Sequence, residues 1–179
     1  MAYTFEQSYY FRPYRGNSSF WLNRYGNGSI ASHQKATLYT AAGSADQRLK
    51  VHKVSGGCQL LSDLNNAYGL NIYGRGAGSV CDFYPVSGNE SDALIDLLTV
   101  DATNNLYRIK MINHNLYLTP ASNSSGAALT WENASNAAIP DMLTFLDMYK
   151  TSRVEDLDMY HKWLENRTYE SMRSLIGQK

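Results

Sequence analysis

Three leucines, Leu22, Leu70 and Leu118, stand 48 residues apart, and their neighbourhoods are built alike. Each lies in a short apolar stretch: Phe20-Trp21-Leu22-Asn23, Tyr68-Gly69-Leu70-Asn71 and Leu116-Tyr117-Leu118-Thr119. A turn rich in Gly or Ser follows (26–29, 74–79, 124–126), and an aromatic closes each next strand: Tyr39, Phe83 and Trp131. Each unit then ends on an acid or amide, two places before a Leu and four before Val or Phe. These endings are Gln47-Arg48-Leu49-Lys50-Val51, Asp96-Leu97-Leu98-Thr99-Val100 and Asp141-Met142-Leu143-Thr144-Phe145. In the middle unit Asp92-Ala93-Leu94 is a second alignment, which fits the distance from Phe83 better. Ahead of the third leucine, Tyr107, Ile109 and Met111 alternate with polar residues at the period of a strand with one buried face. Matched self-similarity of this length means one β supersecondary unit used three times around a shared core.

This layout resembles the ricin B-chain-like family, the R-type lectins, over roughly residues 8 to 148. Repeats of that family carry a Leu-Asp-Val strand, a Val-x-x-Trp strand and a closing Gln-x-Trp. Here Leu-Asp-Val becomes Leu22-Asn23-Arg24, Leu70-Asn71-Ile72 and Leu118-Thr119-Pro120, the Gln survives as Gln47, and the closing Trp becomes Leu49, Leu98 and Leu143. The resemblance implies an all-β chain: a β-trefoil of three repeats over 1–148 (about 8–53, 54–104 and 105–148), with four strands in each.

The same resemblance implies sugar binding in a shallow pocket of a single repeat. A ring stacks on the sugar's apolar C–H face, an acid after the Leu accepts hydroxyl hydrogen bonds, and an Asn and a Gln near the closing motif fix orientation. Carried over residue by residue, the first repeat offers Asn23, Tyr39, Asp46 and Gln47. The second offers Asn71, Phe83 and Asp96, and the third Thr119, Trp131 and Asp141 with Asn133 nearby. None of the three keeps the acid after the Leu; Asn23 and Asn71 can accept there without charge assistance. Trp131 is the first expectation for the stacking ring and Tyr39 the second. The bland alternative is that Tyr39, Phe83 and Trp131 pack the core or rim of a trefoil that meets other proteins instead of glycans.

Composition narrows the partners. Sixteen Lys and Arg balance sixteen Asp and Glu, so no net field draws the chain to nucleic acid or an anionic membrane surface. Fourteen Tyr and 13 Gly, with many Asn and Ser, suit uncharged polar ligands and equally suit a turn-rich β fold. The opening MAYTFEQSYYFRPYRG has no apolar core of signal-peptide length, and no later run could span a bilayer, so action outside the cell would require a trimmed leader. Six Asn-x-Ser/Thr sequons, at Asn17, Asn27, Asn89, Asn123, Asn133 and Asn166, imply no glycosylation without one. Cys58 and Cys81 read as buried free thiols, and no Cys-x-x-Cys or His-x-x-x-His spacing suggests a metal or cofactor.

The four histidines are scattered over loops and ends, with His33 in an insertion near Ile30 to Lys35 where it reads as a solvated loop residue. The run Gly74-Arg75-Gly76-Ala77-Gly78 lacks the Lys-Ser/Thr of a phosphate-binding loop and reads as a flexible turn. Carboxylates such as Asp92 and Asp96 are not brought to glycosidase spacing by anything in the sequence, so no enzyme activity is expected. After Phe145 the pattern changes. Ser152 and Glu155 have capping-box spacing, and Val154, Leu157, Tyr160 and Leu164 form an apolar stripe, so 149–179 is expected to be a helical extension that docks on the trefoil, on a second copy or on another protein.

Overall fold

The computed structural model describes residues 3–13, 19–87, 90–103 and 106–134, and the backbone alone of 143–148. The expected helical extension, with its docking role, and Asp141 lie outside these residues.

Among the described residues twelve strands follow in chain order: β1 (Ser8–Pro13), β2 (Phe20–Arg24), β3 (Gln34–Thr40), β4 (Arg48–Val54), β5 (Gly57–Ser62), β6 (Tyr68–Tyr73), β7 (Ser79–Pro85), β8 (Ile95–Asp101), β9 (Leu106–Met111), β10 (Leu116–Pro120), β11 (Leu129–Glu132) and β12 (Leu143–Met148). Every pairing among them is antiparallel. The first and last strands of each repeat close a ring, β1–β4–β5–β8–β9–β12 and back to β1. The middle strands form three hairpins, β2–β3, β6–β7 and β10–β11. These hairpins join through Gln34↔Phe83, Trp131↔Ser79 and the bridge Thr37↔Ala128. A six-stranded barrel capped by a triangle of hairpins is a β-trefoil.

The core is layered in threes. Leu22, Leu70 and Leu118 are all buried, as the 48-residue spacing requires. Phe11, Leu60 and Ile109 make a second layer from the first strands of the repeats, and Leu38, Phe83 and Trp131 a third from the hairpins. Cross-strand register fixes that third set, because Leu22 faces Leu38, Leu70 faces Phe83 and Leu118 faces Trp131.

Two sequence expectations shift by strand register. The aromatic equivalent to Phe83 and Trp131 is not Tyr39: Leu38 takes the buried place and Tyr39, one residue on, points outward at 52% exposure. The set Leu49, Leu98 and Leu143 also fails as an equivalent triplet. Leu49 faces Tyr9 and Ile95 faces Cys58, while Thr144 faces Tyr107, so Ile95 and Thr144 are the counterparts of Leu49. The reason is the two-residue period of a strand, by which one step of misalignment exchanges faces. Strand β8 carries apolar residues at both parities: Ile95 and Leu97 point inward, and Val100 lies on the outer face at 48% exposure.

Cys58 and Cys81 are buried free thiols. Burial, aided by Asp96, pushes the Cys58 thiol up to about 12, and burial also raises Cys81. At pH 8 roughly one Cys58 in ten thousand is therefore a thiolate, the form that reacts. Native protein should leave both cysteines unmodified by a thiol reagent such as Ellman's disulfide at pH 8, and two equivalents should react once denaturant is added. Rapid native labelling would show that the barrel interior is open.

Candidate functional site

Two depressions occupy matching places in repeats 1 and 2. The first, about 350 Å³, is lined by Asn23, Arg24, Tyr25, Tyr39, Asp46 and Gln47 among others. The second, about 260 Å³, is lined by His33, Asn71, Tyr73, Arg75, Tyr84 and Asp92 among others. The hairpin registers make Asn23 equivalent to Asn71, Tyr25 to Tyr73 and Tyr39 to Tyr84. Asp46 and Asp92 also correspond, each within a short 3-10 turn (Ala45–Gln47 and Glu90–Asp92) and each three residues ahead of the buried Leu49 or Ile95.

A local sequence explains the shared shape. Leu22-Asn23-Arg24-Tyr25-Gly26 and Leu70-Asn71-Ile72-Tyr73-Gly74 run from a core leucine to a glycine that turns the chain. Gly26 and Gly74 both have φ +107°, a conformation open to glycine and strained for side chains. A Cβ at Gly74 would also come within 2.7 Å of the Ser79 hydroxyl. The turn leaves the preceding tyrosine standing out, so that Tyr25 is 62% and Tyr73 60% exposed. The repeated Leu-Asn-x-Tyr-Gly was the signal for both tyrosines, which the family motifs alone do not point to.

In the first pocket the floor is a buried cation. Arg24 is 1% exposed, and its Nε and Nη2 donate to Asp46 Oδ1, Nη1 to Gln34 Oε1 at 3.0 Å and Nη2 to the Gly28 carbonyl at 3.0 Å. All its nitrogens are thus engaged, which lets a guanidinium sit out of water. Asp46 is 31% exposed, and its Oδ2 takes part in none of these bonds. Gln47 is fully buried; its Oε1 accepts from the backbone N–H groups of Ala42 (2.8 Å) and Gly43 (3.1 Å), and its Nε2 donates to the Thr40 carbonyl (2.9 Å). Gln47 therefore shapes the loop behind the pocket instead of presenting a free amide. Asn23 is half-buried and donates to the Arg24 carbonyl.

The second pocket differs in its charges. Asn71 is buried and donates to Asp82 Oδ1 at 3.1 Å, and Asp82 Oδ2 lies 2.7 Å from His33 Nδ1. The acid absent after Leu70 thus appears directly across the strand at Asp82, which faces Asn71 in the ladder. His33 is not simply solvated: its ring lies 4.7 Å from that of Tyr73 and 4.6 Å from that of Tyr84, although the side chain remains about half exposed. Asp92 is bonded by His114 at 2.9 Å.

The other expected residues do not join these sites. Phe83 is wholly buried core, Asp96 faces Lys110 in the barrel ladder, and Thr119 is buried with its hydroxyl toward the Tyr117 carbonyl. Asn133 is exposed beyond β11. Trp131, the expected stacking ring, is fully buried, and its indole Nε1–H donates 3.1 Å to the Asn71 carbonyl, so no ring face is open to a ligand. It ties the third repeat to the second. In the third repeat Ala121 and Glu132 stand at the positions of the two pocket tyrosines. Among the described residues no three His, Cys, Asp or Glu side chains gather as a metal site would need, and no helix is long and apolar enough to cross a membrane.

Comparison with known proteins places the fold. No family model matches the sequence. Forty residues, 22% of the chain, are 45% identical to the type VII secretion system protein EssC of Staphylococcus aureus, and they span 3% of that protein. Solved structures agree over most of the chain. A designed threefold-symmetric protein, ThreeFoil, superposes with a TM-score of 0.66 at 16% identity, covering 78% of this chain and 97% of its own. The ricin B-like lectin of Macrolepiota procera, in complex with lactose, gives 0.63 at 14% identity, covering 82% and 98%. The Rhizoctonia solani agglutinin gives 0.64 at 13%, covering 82% and 97%. The fold is that of the ricin B-like β-trefoils.

Two substitutions test this geometry. Asp46→Ala leaves the buried Arg24 without its carboxylate and should cost about 2–3 kcal/mol in urea unfolding, below the range for a fully buried pair because Asp46 is partly solvated. Trp131→Ala should cost about 3–5 kcal/mol as a core truncation. A neutral result for Trp131→Ala would remove that ring from the core.

Proposed function

We propose that the chain is a non-catalytic carbohydrate-binding module and that the first-repeat pocket holds a neutral saccharide. The observation that carries this reading is the convergence of Tyr25 and Tyr39, both more than half exposed, with the accessible Asp46 carboxylate over a rigid floor. A tyrosine face suits the C–H face of a pyranose. A carboxylate oxygen accepts strongly from sugar hydroxyls. Arg24 holds Asp46 in place, so little side-chain freedom is lost when a ligand binds. The acid that R-type repeats carry after the Leu is replaced here by one reached from the 3-10 turn at Ala45–Gln47. Support also comes from the fold's neighbours, which include structures in complex with lactose and with α-methyl-D-galactoside. Galactosides are accordingly the first ligands to try.

A glycan array followed by calorimetry on the full chain tests the proposal. Tyr39→Ala should weaken binding of the best neutral saccharide by about 3- to 10-fold, the range one stacked ring supplies. Asp46→Asn, which keeps the side-chain shape, should weaken it by about tenfold through loss of charge assistance. If neither substitution changes affinity, this pocket is not the site.

A further inference from the structure

The two pockets share a frame and differ in which charge is left uncommitted. In the first, the cation is buried and fully bonded and the acid faces outward. In the second, both acids are engaged: Asp82 by Asn71 and His33, and Asp92 by His114. Arg75, exposed at the turn that lines the pocket, makes none of the described hydrogen bonds or ion pairs. It stands where the first repeat has Asn27, and Ile72 replaces Arg24 beneath it. The remaining departure is His33, which comes from the other repeat. Counted between the paired core residues, Leu22 to Leu38 is 16 residues, against 13 from Leu70 to Phe83 and from Leu118 to Trp131. The longer β2–β3 loop places His33 at φ +63° against Tyr73 and Tyr84.

We infer that the second-repeat pocket is a separate site for an acidic saccharide, one whose sugar ring carries a carboxylate. The inference rests on the reading of the trefoil as a saccharide binder, not on the first pocket being occupied. Tyr73 offers an exposed ring for the sugar, and the Arg75 guanidinium fork matches a carboxylate in shape and charge. Because a carboxylate only accepts, His33 Nδ1 donates to Asp82, which thus spends one oxygen on His33 and the other on Asn71. Lys35, opposite Asp82 in the ladder, is a further exposed cation. In the first pocket every nitrogen of Arg24 is already bonded, so Arg24 is committed to the protein's own acceptors.

The full chain is titrated by calorimetry with methyl glucuronide, methyl galacturonide and N-acetylneuraminic acid, beside their neutral methyl hexosides. At least one acidic saccharide should bind about tenfold more tightly than its neutral counterpart, the scale expected of a hydrogen bond to a charged group. Arg75→Gln should abolish that binding. Tyr39→Ala should leave it intact. Wild-type protein that binds no acidic saccharide, or Arg75→Gln protein that binds as tightly as wild type, overturns the inference. Equal competition by inorganic sulfate overturns the saccharide part, leaving a simple anion site. Failure of neutral sugars to bind would sink the first-pocket reading and leave these outcomes unaffected.

Discussion

Backbone closure is the constraint on which everything else in this protein rests. A β-sheet has edges, and edges expose unpaired N–H and C=O groups; the ring from β1 through β4, β5, β8, β9 and β12 back to β1 leaves its strands paired on both sides. No single repeat can do this, because β4 must pair with β5 and β12 with β1. The barrel therefore forms from all three units or not at all. Once it is closed, the hairpins are held over one end by few hydrogen bonds and by their buried residues. Trp131 fills that triangle and bonds the backbone of Asn71, so the hairpin cap depends on a side chain as much as on ladders.

That division of labour explains what the sequence made legible. The spacing of Leu22, Leu70 and Leu118 was readable because each is anchored by core geometry that all repeats must satisfy. Parity was not readable where both faces of a strand carry apolar residues, as at Ile95-Asp96-Leu97-Leu98, or where an outward tyrosine follows an inward leucine, as at Leu38-Tyr39. There the choice is made by cross-strand partners far away in sequence. Pocket residues followed the same rule. Asn23, Tyr39, Asp46 and Gln47 were found together because they belong to one repeat. His33 and Asp82 were missed because their meeting crosses a repeat boundary, the two being 49 positions apart in sequence.

The repeats have diverged on the outside while keeping the inside. The buried layers vary among Leu, Ile, Phe and Trp, all apolar. Pocket positions change chemistry outright: Arg24 becomes Ile72, Asn27 becomes Arg75, and the tyrosine pair becomes Ala121 and Glu132 in the third repeat. Surface positions bear little on closure of the barrel, so substitution there leaves folding largely alone. One frame can in this way carry chemically different depressions.

The lengthened β2–β3 loop has a consequence for modularity. Its histidine lines a pocket whose other walls come from the next repeat, so the pocket straddles the structural unit. A symmetric protein assembled from three copies of repeat 2 would keep the barrel, the Leu-Asn-x-Tyr-Gly turn and the exposed tyrosine, but every pocket would lack its imidazole. A threefold copy of repeat 1 would place the same histidine beside Thr37, the counterpart of Asp82, where no carboxylate waits for it. The pairing of His33 with Asp82 thus belongs to the asymmetric chain, and copying any one repeat erases it.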